Sequence, residues 1–181
     1  GVNTLWDRRY GFMNKALTSP ISRSSIALGK MSAISLIAAL QASLIIGIAL
    51  AIGVRFSNPI MIAPIMVIVI LFSLGFSGIS VMIAATAKSQ ETFWGMINFL
   101  GMPLFMLSPA LFPLELLPNW LAVIAKLNPV TYTILLVREL MTGVSEGGIP
   151  ILLSLGVLIA FVLVMIGLAS YVFTREVNKP F

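Results

Sequence analysis

Four long stretches without a charged residue constrain this chain more than any other feature. They cover residues 31–54, 60–87, 93–112 and 149–174. A helix rises about 1.5 Å per residue, so each run is long enough to cross a bilayer core of about 30 Å. Only 9% of the residues are charged, against roughly a quarter in soluble domains. The pattern predicts an all-α, polytopic transmembrane helix bundle that forms a single domain over residues 1–181, with these four runs as spans.

The third run and the segment that follows it depart from the pattern of a simple membrane span. The third contains Pro103 and Pro109, which predict that its helix is kinked or ends early. Between the third and fourth runs, residues 113–148 mix charged and apolar positions at intervals too short for a span. We interpret this segment as two short amphipathic helices. Their predicted ends are Asn119 and Asn128 as N-caps, Pro129 as a first helical residue and Gly143 as a C-terminal stop.

The distribution of Lys and Arg predicts the orientation. With the N-terminus inside, eight of these residues lie on inner segments and Arg55, Lys126 and Arg138 lie outside. Basic residues collect on the cytoplasmic side of membrane proteins, so we expect a multi-pass protein of the cell membrane with both termini of this chain cytoplasmic and residues 113–148 extracellular. The same bias accounts for the net charge of +5, and no nucleic-acid partner is expected. The eight inner residues are Arg8, Arg9, Lys15, Arg23, Lys30, Lys88, Arg175 and Lys179.

Missing residue types exclude several kinds of chemistry. The chain has neither cysteine nor histidine, which removes thiolate nucleophiles, imidazole acid–base catalysis and the usual metal ligands. None of the four runs contains an ionisable group of the kind that ion-coupled carriers and intramembrane enzymes usually place at depth. We therefore predict no catalytic residue and no metal site.

The first 25 residues form a basic segment ahead of the first span. Trp6, Tyr10, Met13 and Leu17 recur at helical spacing, and basic residues lie on the other side. This predicts a short amphipathic helix, ended by Ser19 and Pro20, after which Ser24 or Ser25 caps the first span. Such a helix either rests on anionic lipid headgroups or docks a cytoplasmic partner, and the residues leave both interpretations open.

Small and amide side chains mark two further features of the spans. The first span has a small residue at every fourth position, which favours close helix contact either within the subunit or in a dimer. These residues are Ser35, Ala39, Ser43, Gly47 and Ala51. Gln41 lies near the middle of the same span, and Asn98 lies in the third run. An amide at that depth needs a polar partner, so either residue could line a translocation path or tie two helices together.

Two stretches in order resemble a known family. They are DRRYGFMNKALTSPISRSSIALGK before the first span and LFPLELLPNWLAVIAKLNPVTYTILLVREL before the last. The chain resembles the type-2 ABC exporter permeases, especially the daunorubicin-resistance and nodulation-factor branch. The resemblance implies six spans after an elbow helix, with this chain beginning near the cytoplasmic end of the second span. It also implies that the first stretch is a cytoplasmic coupling region and the second an extracellular pair of short helices.

The resemblance assigns roles to residues and partners. It implies a permease subunit of an ATP-driven exporter for a lipid-like, drug or glycan substrate, paired with a second permease half, by expectation a homodimer. Gly29 and Lys30 are followed by Met31 and do not form a phosphate-binding loop, so ATP and magnesium are expected on a separate ATP-binding subunit. The alternative is a non-transporting membrane scaffold or assembly subunit. The implied ATPase-coupling interface is Arg8, Arg9, Gly11, Phe12, Lys15, Leu17, Ser19, Pro20 and Arg23.

Overall fold

The computed structural model describes residues 22–54, 58–111, 113–145 and 148–177, and in these ranges it is helical without strands. This confirms the predicted all-α bundle. Within these ranges, single turns of 3₁₀ helix at Pro59–Met61 and Leu114–Leu116 supplement six α-helices. The α-helices are α1 (Arg23–Ala51), α2 (Ile62–Thr86), α3 (Gln90–Met106), α4 (Asn119–Leu127), α5 (Pro129–Thr142) and α6 (Ile151–Val177).

In the part of the chain that the structure describes, three helices are long and apolar enough to cross a membrane, namely Ser24–Ala51, Pro59–Thr86 and Ile151–Glu176. Two of these segments lie close to the predicted limits, whereas α1 begins at Arg23 and not at Met31. The prediction treated Lys30 as a boundary, but lysine is a good helix former whose long side chain reaches a bilayer surface from inside a helix. The cap is also different from the prediction: the Ser22 hydroxyl accepts a hydrogen bond from the Ser25 backbone N–H at 3.2 Å.

Helix α2 lies at the centre and packs most extensively against α6 and α1. Two of its glycines face α6. A Cβ atom on Gly78 would lie 3.0 Å from the Met165 carbonyl oxygen, and one on Gly75 would lie 2.7 Å from the Phe161 ring. Close backbone approach through small residues is how membrane helices gain packing energy. Beside this contact, the side chains of α1, α2 and α6 form a fully buried cluster of Ala27, Met31, Val81, Ala85, Ala169 and Phe173.

Helix α3 is shorter than the third predicted span of 93–112. It covers 17 residues and ends at Met106, so its length is about 26 Å against a hydrocarbon core of about 30 Å. Pro103 lies inside the helix and cannot donate the backbone hydrogen bond of its position. The helix nevertheless continues for three residues past Pro103 and ends shortly before Pro109, which disfavours helical backbone in the residue that precedes it. The end lies six residues before the limit drawn from the charge-free run, and an early end is what the prolines predict.

Helices α4 and α5 meet at a bend of 89°. They give a fourth span only if the pair is counted as one broken segment. Asn128 caps α5 as predicted, since its side chain accepts from the Val130 N–H, and Pro129 is the first helical residue. Gly143 ends α5 in the left-handed conformation with φ of 75°, also as predicted. Asn119 is not an N-cap: Pro118 occupies that position and Asn119 is the first residue of α4.

Candidate functional site

Most of the implied ATPase-coupling interface lies outside the described residues. Arg8, Arg9, Gly11, Phe12, Lys15, Leu17, Ser19 and Pro20 belong to the first 21 residues, so their docking role stays a prediction. Arg23, the last of that group, is the first residue of α1. The segment is thus continuous in sequence, through one serine cap, with a helix that packs on both α2 and α6.

The small residues of α1 divide into two groups. Ser35 and Ala39 are buried inside the chain, and the Ser35 hydroxyl donates to the Met31 carbonyl at 3.0 Å. Ser43, Gly47 and Ala51 are exposed. Four residues turn a helix about 40° past a full circle, so the stripe rotates by about 160° between its first and last members. Packing within the subunit therefore accounts for the first two residues, and the other three leave a small-residue surface on the chain's exterior.

Gln41 and Asn98 both lie on the surface of this chain, on α1 and α3. Neither amide has a hydrogen-bond partner among the residues that the structure describes. The two helices pack mainly on α2, so the structure does not bring the two amides into one cluster. An amide left without a hydrogen bond in hydrocarbon costs about 2–7 kcal/mol. The surfaces that carry Gln41 and Asn98 are therefore suited to water or to another polar group rather than to lipid chains.

A groove of about 360 Å³ runs between α1, α2 and α3. Its walls are apolar apart from three serines of α2, and the Ser77 hydroxyl donates to the Leu74 carbonyl at 2.7 Å. Gln41 follows Ala38 by three residues, which places it one turn further along the same face of α1. The helical spacing of Ser73, Ser77 and Ser80 is a signal in the sequence for this groove, and it was not among the predicted features. The lining residues are Ile34, Ala38, Val69, Phe72, Ser73, Phe76, Ser77, Ser80 and Ile97.

Two polar side chains of the bent helix pair reach back to the C-terminal end of α3. The Asn128 side-chain amide donates to the Leu104 carbonyl at 2.6 Å. The Arg138 guanidinium donates to the Pro109 carbonyl at 3.0 Å. These contacts span 24 and 29 residues, and the sequence offers no local signal that would pair them. Within the described ranges, the structure holds no group of His, Cys, Asp or Glu side chains suited to a metal ion.

Comparison with known protein families identifies the family of this chain. Residues 1–142, which include the basic segment and helices α1 to α5, match the ABC-2 type transporter family. The chain belongs to the ABC-2 type transporter family. The match confirms the family expected from the two sequence stretches. The narrower assignment to the daunorubicin-resistance and nodulation-factor branch stays a prediction.

Relatives of this ABC-2 chain include proteins named transport permease ycf38. The chain is 30% identical to the protein of Pyropia yezoensis over 80% of this chain and 50% of the relative. It is 31% identical to that of Cyanophora paradoxa over 75% of this chain and 47% of the relative. With the Porphyra purpurea protein the identity is 30% over 95% of this chain and 62% of the relative. The chain spans about half to three-fifths of the length of these relatives, and no solved structure matches it.

Proposed function

We propose that this chain belongs to the membrane subunit of an ATP-driven exporter of the ABC class. The observation that carries the proposal is the family match across residues 1–142, supported by relatives named transport permeases. Three apolar helices of spanning length agree with it. In this proposal a separate ATP-binding subunit binds ATP with magnesium and hydrolyses it, as expected for a permease subunit of the ABC-2 type transporter family.

In this proposal the basic segment of residues 1–25 transmits motion from the ATPase. Phe12 and Arg9 contact the partner subunit, and the segment leads directly into α1 at Arg23. Because α1 packs on α2, and α2 packs on α6, a displacement of the segment moves the long helices together. A packed bundle has discrete arrangements rather than a continuous range, so such a push changes the access state of the bundle.

The cargo crosses along protein surfaces that carry isolated polar groups. Gln41 and Asn98 line the path with further helices of the assembly, which has a second permease half, by our proposal a copy of the same protein. Exposed small residues of α1, Ser43, Gly47 and Ala51, let another helix approach closely. Apolar walls with few hydroxyl and amide groups suit a lipid-like or drug cargo, and glycans carried on a lipid present the same apolar part. The transported molecule moves from the cytoplasm outward across the cell membrane.

Substitutions in the basic segment test the proposal. Phe12→Ala and Arg9→Ala in the full-length protein should weaken binding of the ATPase subunit about tenfold or more, because a central aromatic or arginine anchor contributes roughly 2 kcal/mol or more. The measurement is the amount of ATPase retained on the affinity-purified permease from native membranes. Arg55→Ala is the control, since it removes a basic residue predicted to lie on the opposite side.

Unchanged ATPase retention in both variants would contradict the coupling assignment. A membrane protein that never retains an ATPase subunit, in any variant, would contradict the exporter itself and favour the scaffold or assembly role, for which the exposed small residues of α1 also suffice.

A further inference from the structure

Helix α3 is held at its two ends by different kinds of contact. At its N-terminal end, the Phe93 ring packs into a buried cluster with Ile83, Ala84 and Ala87 of the α2 region. Phe93 is the single buried residue of α3, which is described over its whole length. Large apolar side chains further along, such as Phe99 and Met102, are 79% and 64% exposed. Apolar packing, to which the half-buried Ile97 also contributes, therefore secures the N-terminal part of the helix and leaves most apolar side chains further along exposed.

The C-terminal end of α3 is held by hydrogen bonds. The last four carbonyls of a helix lack partners within the helix, and Leu104 contributes one of them because the Ser108 N–H turns to the Phe105 carbonyl. The Asn128 side chain fills this vacancy at 2.6 Å, and Asn128 is only 5% exposed. A few residues further, Arg138 donates to the Pro109 carbonyl. Because Asn128 is almost fully buried, water has little access to its bond with the Leu104 carbonyl, and an unpaired buried carbonyl is costly. These two contacts therefore hold this end of α3 against the bent pair.

The bent pair that supplies both donors is itself anchored. The Thr131 hydroxyl donates to the Ala125 carbonyl at 2.7 Å and the Tyr132 hydroxyl to the Lys126 carbonyl at 2.6 Å, so side chains of α5 satisfy the end of α4. Leu136 of α5 packs into a buried cluster with Ile68 of α2 and with Leu158 and Val162 of α6. The pair is therefore a fixed support on the core, and α3 is the element that is attached to it.

We propose that Asn128 and Arg138 are positioning residues that form a latch, which holds the C-terminal end of α3 against the core. The latch sets the position of a helix that carries Asn98, and its importance for transport rests on the proposed function. The end of α3 nearest Phe93 acts as the pivot. When the latch hydrogen bonds are absent, the C-terminal end of α3 separates from the core while its N-terminal end stays in place.

Asn128→Ser isolates the latch from the helix cap. Serine is as good an N-cap as asparagine, so the bond from the Val130 N–H is kept, but the shorter side chain lacks the amide N–H that reaches Leu104. Asn119→Ser is the matched control, because it makes the same chemical change at an exposed residue of the same helix pair. For the second donor, Arg138→Met removes the hydrogen bond and Arg138→Lys retains a donor.

The measurement uses spin labels on introduced cysteines. Residues 1–181 contain no cysteine, and any cysteine elsewhere in the full-length protein or in its ATPase subunit is first replaced by serine, so that only the introduced sites are labelled. One pair joins Met102→Cys near the C-terminal end of α3 to Leu163→Cys on α6, and a second joins Met96→Cys in the N-terminal half to the same α6 site. All three positions are exposed. Distances are recorded by electron double resonance on the full-length protein in lipid nanodiscs, with its ATPase subunit where one co-purifies.

The latch predicts a pattern that depends on position. In Asn128→Ser the fraction of detached conformers seen by the Met102 pair should rise about tenfold, the scale of losing one buried hydrogen bond, while the Met96 pair is unchanged. Arg138→Met should add to the effect, and Arg138→Lys should restore most of it. Unchanged Met102 distances in Asn128→Ser and Arg138→Met would overturn the latch, and so would equal broadening of both pairs. These outcomes do not depend on whether an ATPase subunit binds, which tests the proposed function separately.

Discussion

Gly78 and Gly75 determine how closely α2 and α6 approach, and they differ in how well the structure can absorb a methyl group. At Gly78 the added Cβ would meet a backbone oxygen of Met165 at 3.0 Å, whereas at Gly75 it would meet the Phe161 ring, which turns more easily than a helix backbone moves. Gly167 on α6 has open space around it. These three glycines therefore separate steric cost from the general effect of replacing glycine in a helix.

We predict that Gly78→Ala lowers the free energy of unfolding by about 1–3 kcal/mol, the range of overpacked core substitutions. Gly75→Ala should cost less. Gly167→Ala should leave stability unchanged or raise it by about 0.5–1 kcal/mol, because alanine is the better helix former. Thermal unfolding of the detergent-solubilised protein, followed by tryptophan fluorescence, gives the order of the three midpoints. Equal unfolding midpoints for Gly78→Ala and Gly167→Ala would show that the close approach of α2 and α6 at Gly78 does not contribute to stability.

Single residues show which local features the sequence specifies. The Asn128 cap, Pro129 and the Gly143 stop were all predictable, since each depends on one residue type at one end of a helix. The prediction of Asn119 as an N-cap was wrong because the preceding residue, Pro118, takes the cap position. The bonds from Asn128 to Leu104 and from Arg138 to Pro109 were not predictable, because they join residues more than 20 positions apart and depend on how the helices fold back.

At the scale of helices, the exterior of α1 has two kinds of surface. Gln41 continues the face that lines the groove between α1, α2 and α3, whereas Leu40, the residue before it, lies about 100° around the helix and is 61% exposed. Water should reach Gln41 if this residue borders a transport path. Water should not reach Leu40 if that residue faces lipid. Because the two neighbouring residues lie at nearly the same depth in the membrane, a difference in their reactivity reports a difference in exposure to water and not in distance from the membrane surface.

Gln41→Cys should therefore react with a charged methanethiosulfonate reagent at least about tenfold faster than Leu40→Cys, because only an ionised thiolate in contact with water reacts readily. The labelling rate of the full-length protein in native membranes gives the comparison. Residues 1–181 contain no cysteine, and the protein without an introduced cysteine, with any cysteine outside these residues replaced by serine, gives the background. Equal and slow labelling of both positions would place Gln41 against another helix or lipid and remove it from the proposed path.

The helical elements themselves were largely predictable from charge-free runs, and their ends less so. The segments containing α2 and α6 agree with the predicted limits within a few residues, because hydrophobic length directly measures a span. The first span was predicted to begin at Met31 because Lys30 is charged, whereas α1 begins at Arg23. Helix α3 is shorter than the apolar run that contains it. The 89° bend between α4 and α5 depends on packing of α5 against α2 and α6, which no periodicity in the sequence records.

At the scale of the whole molecule, the exposed amides and small residues indicate a larger assembly. Gln41 and Asn98 have no hydrogen-bond partner among the residues that the structure describes, and Ser43, Gly47 and Ala51 are exposed. Relatives of the family extend well beyond the region that this chain matches. Membrane helices seldom leave polar groups facing lipid. We therefore expect these surfaces to be covered by further helices and by a second permease half in the functional transporter.

The association with an ATPase subunit tests this account most directly. The full-length protein, tagged and extracted from native membranes in a mild detergent, should purify with an ATP-binding subunit of the ABC class in near-equal amount, and the complex should hydrolyse ATP. Its measured mass should correspond to two permease halves and two ATPase subunits. A pure permease without any ATPase, from membranes in which both proteins are present, would contradict the exporter function.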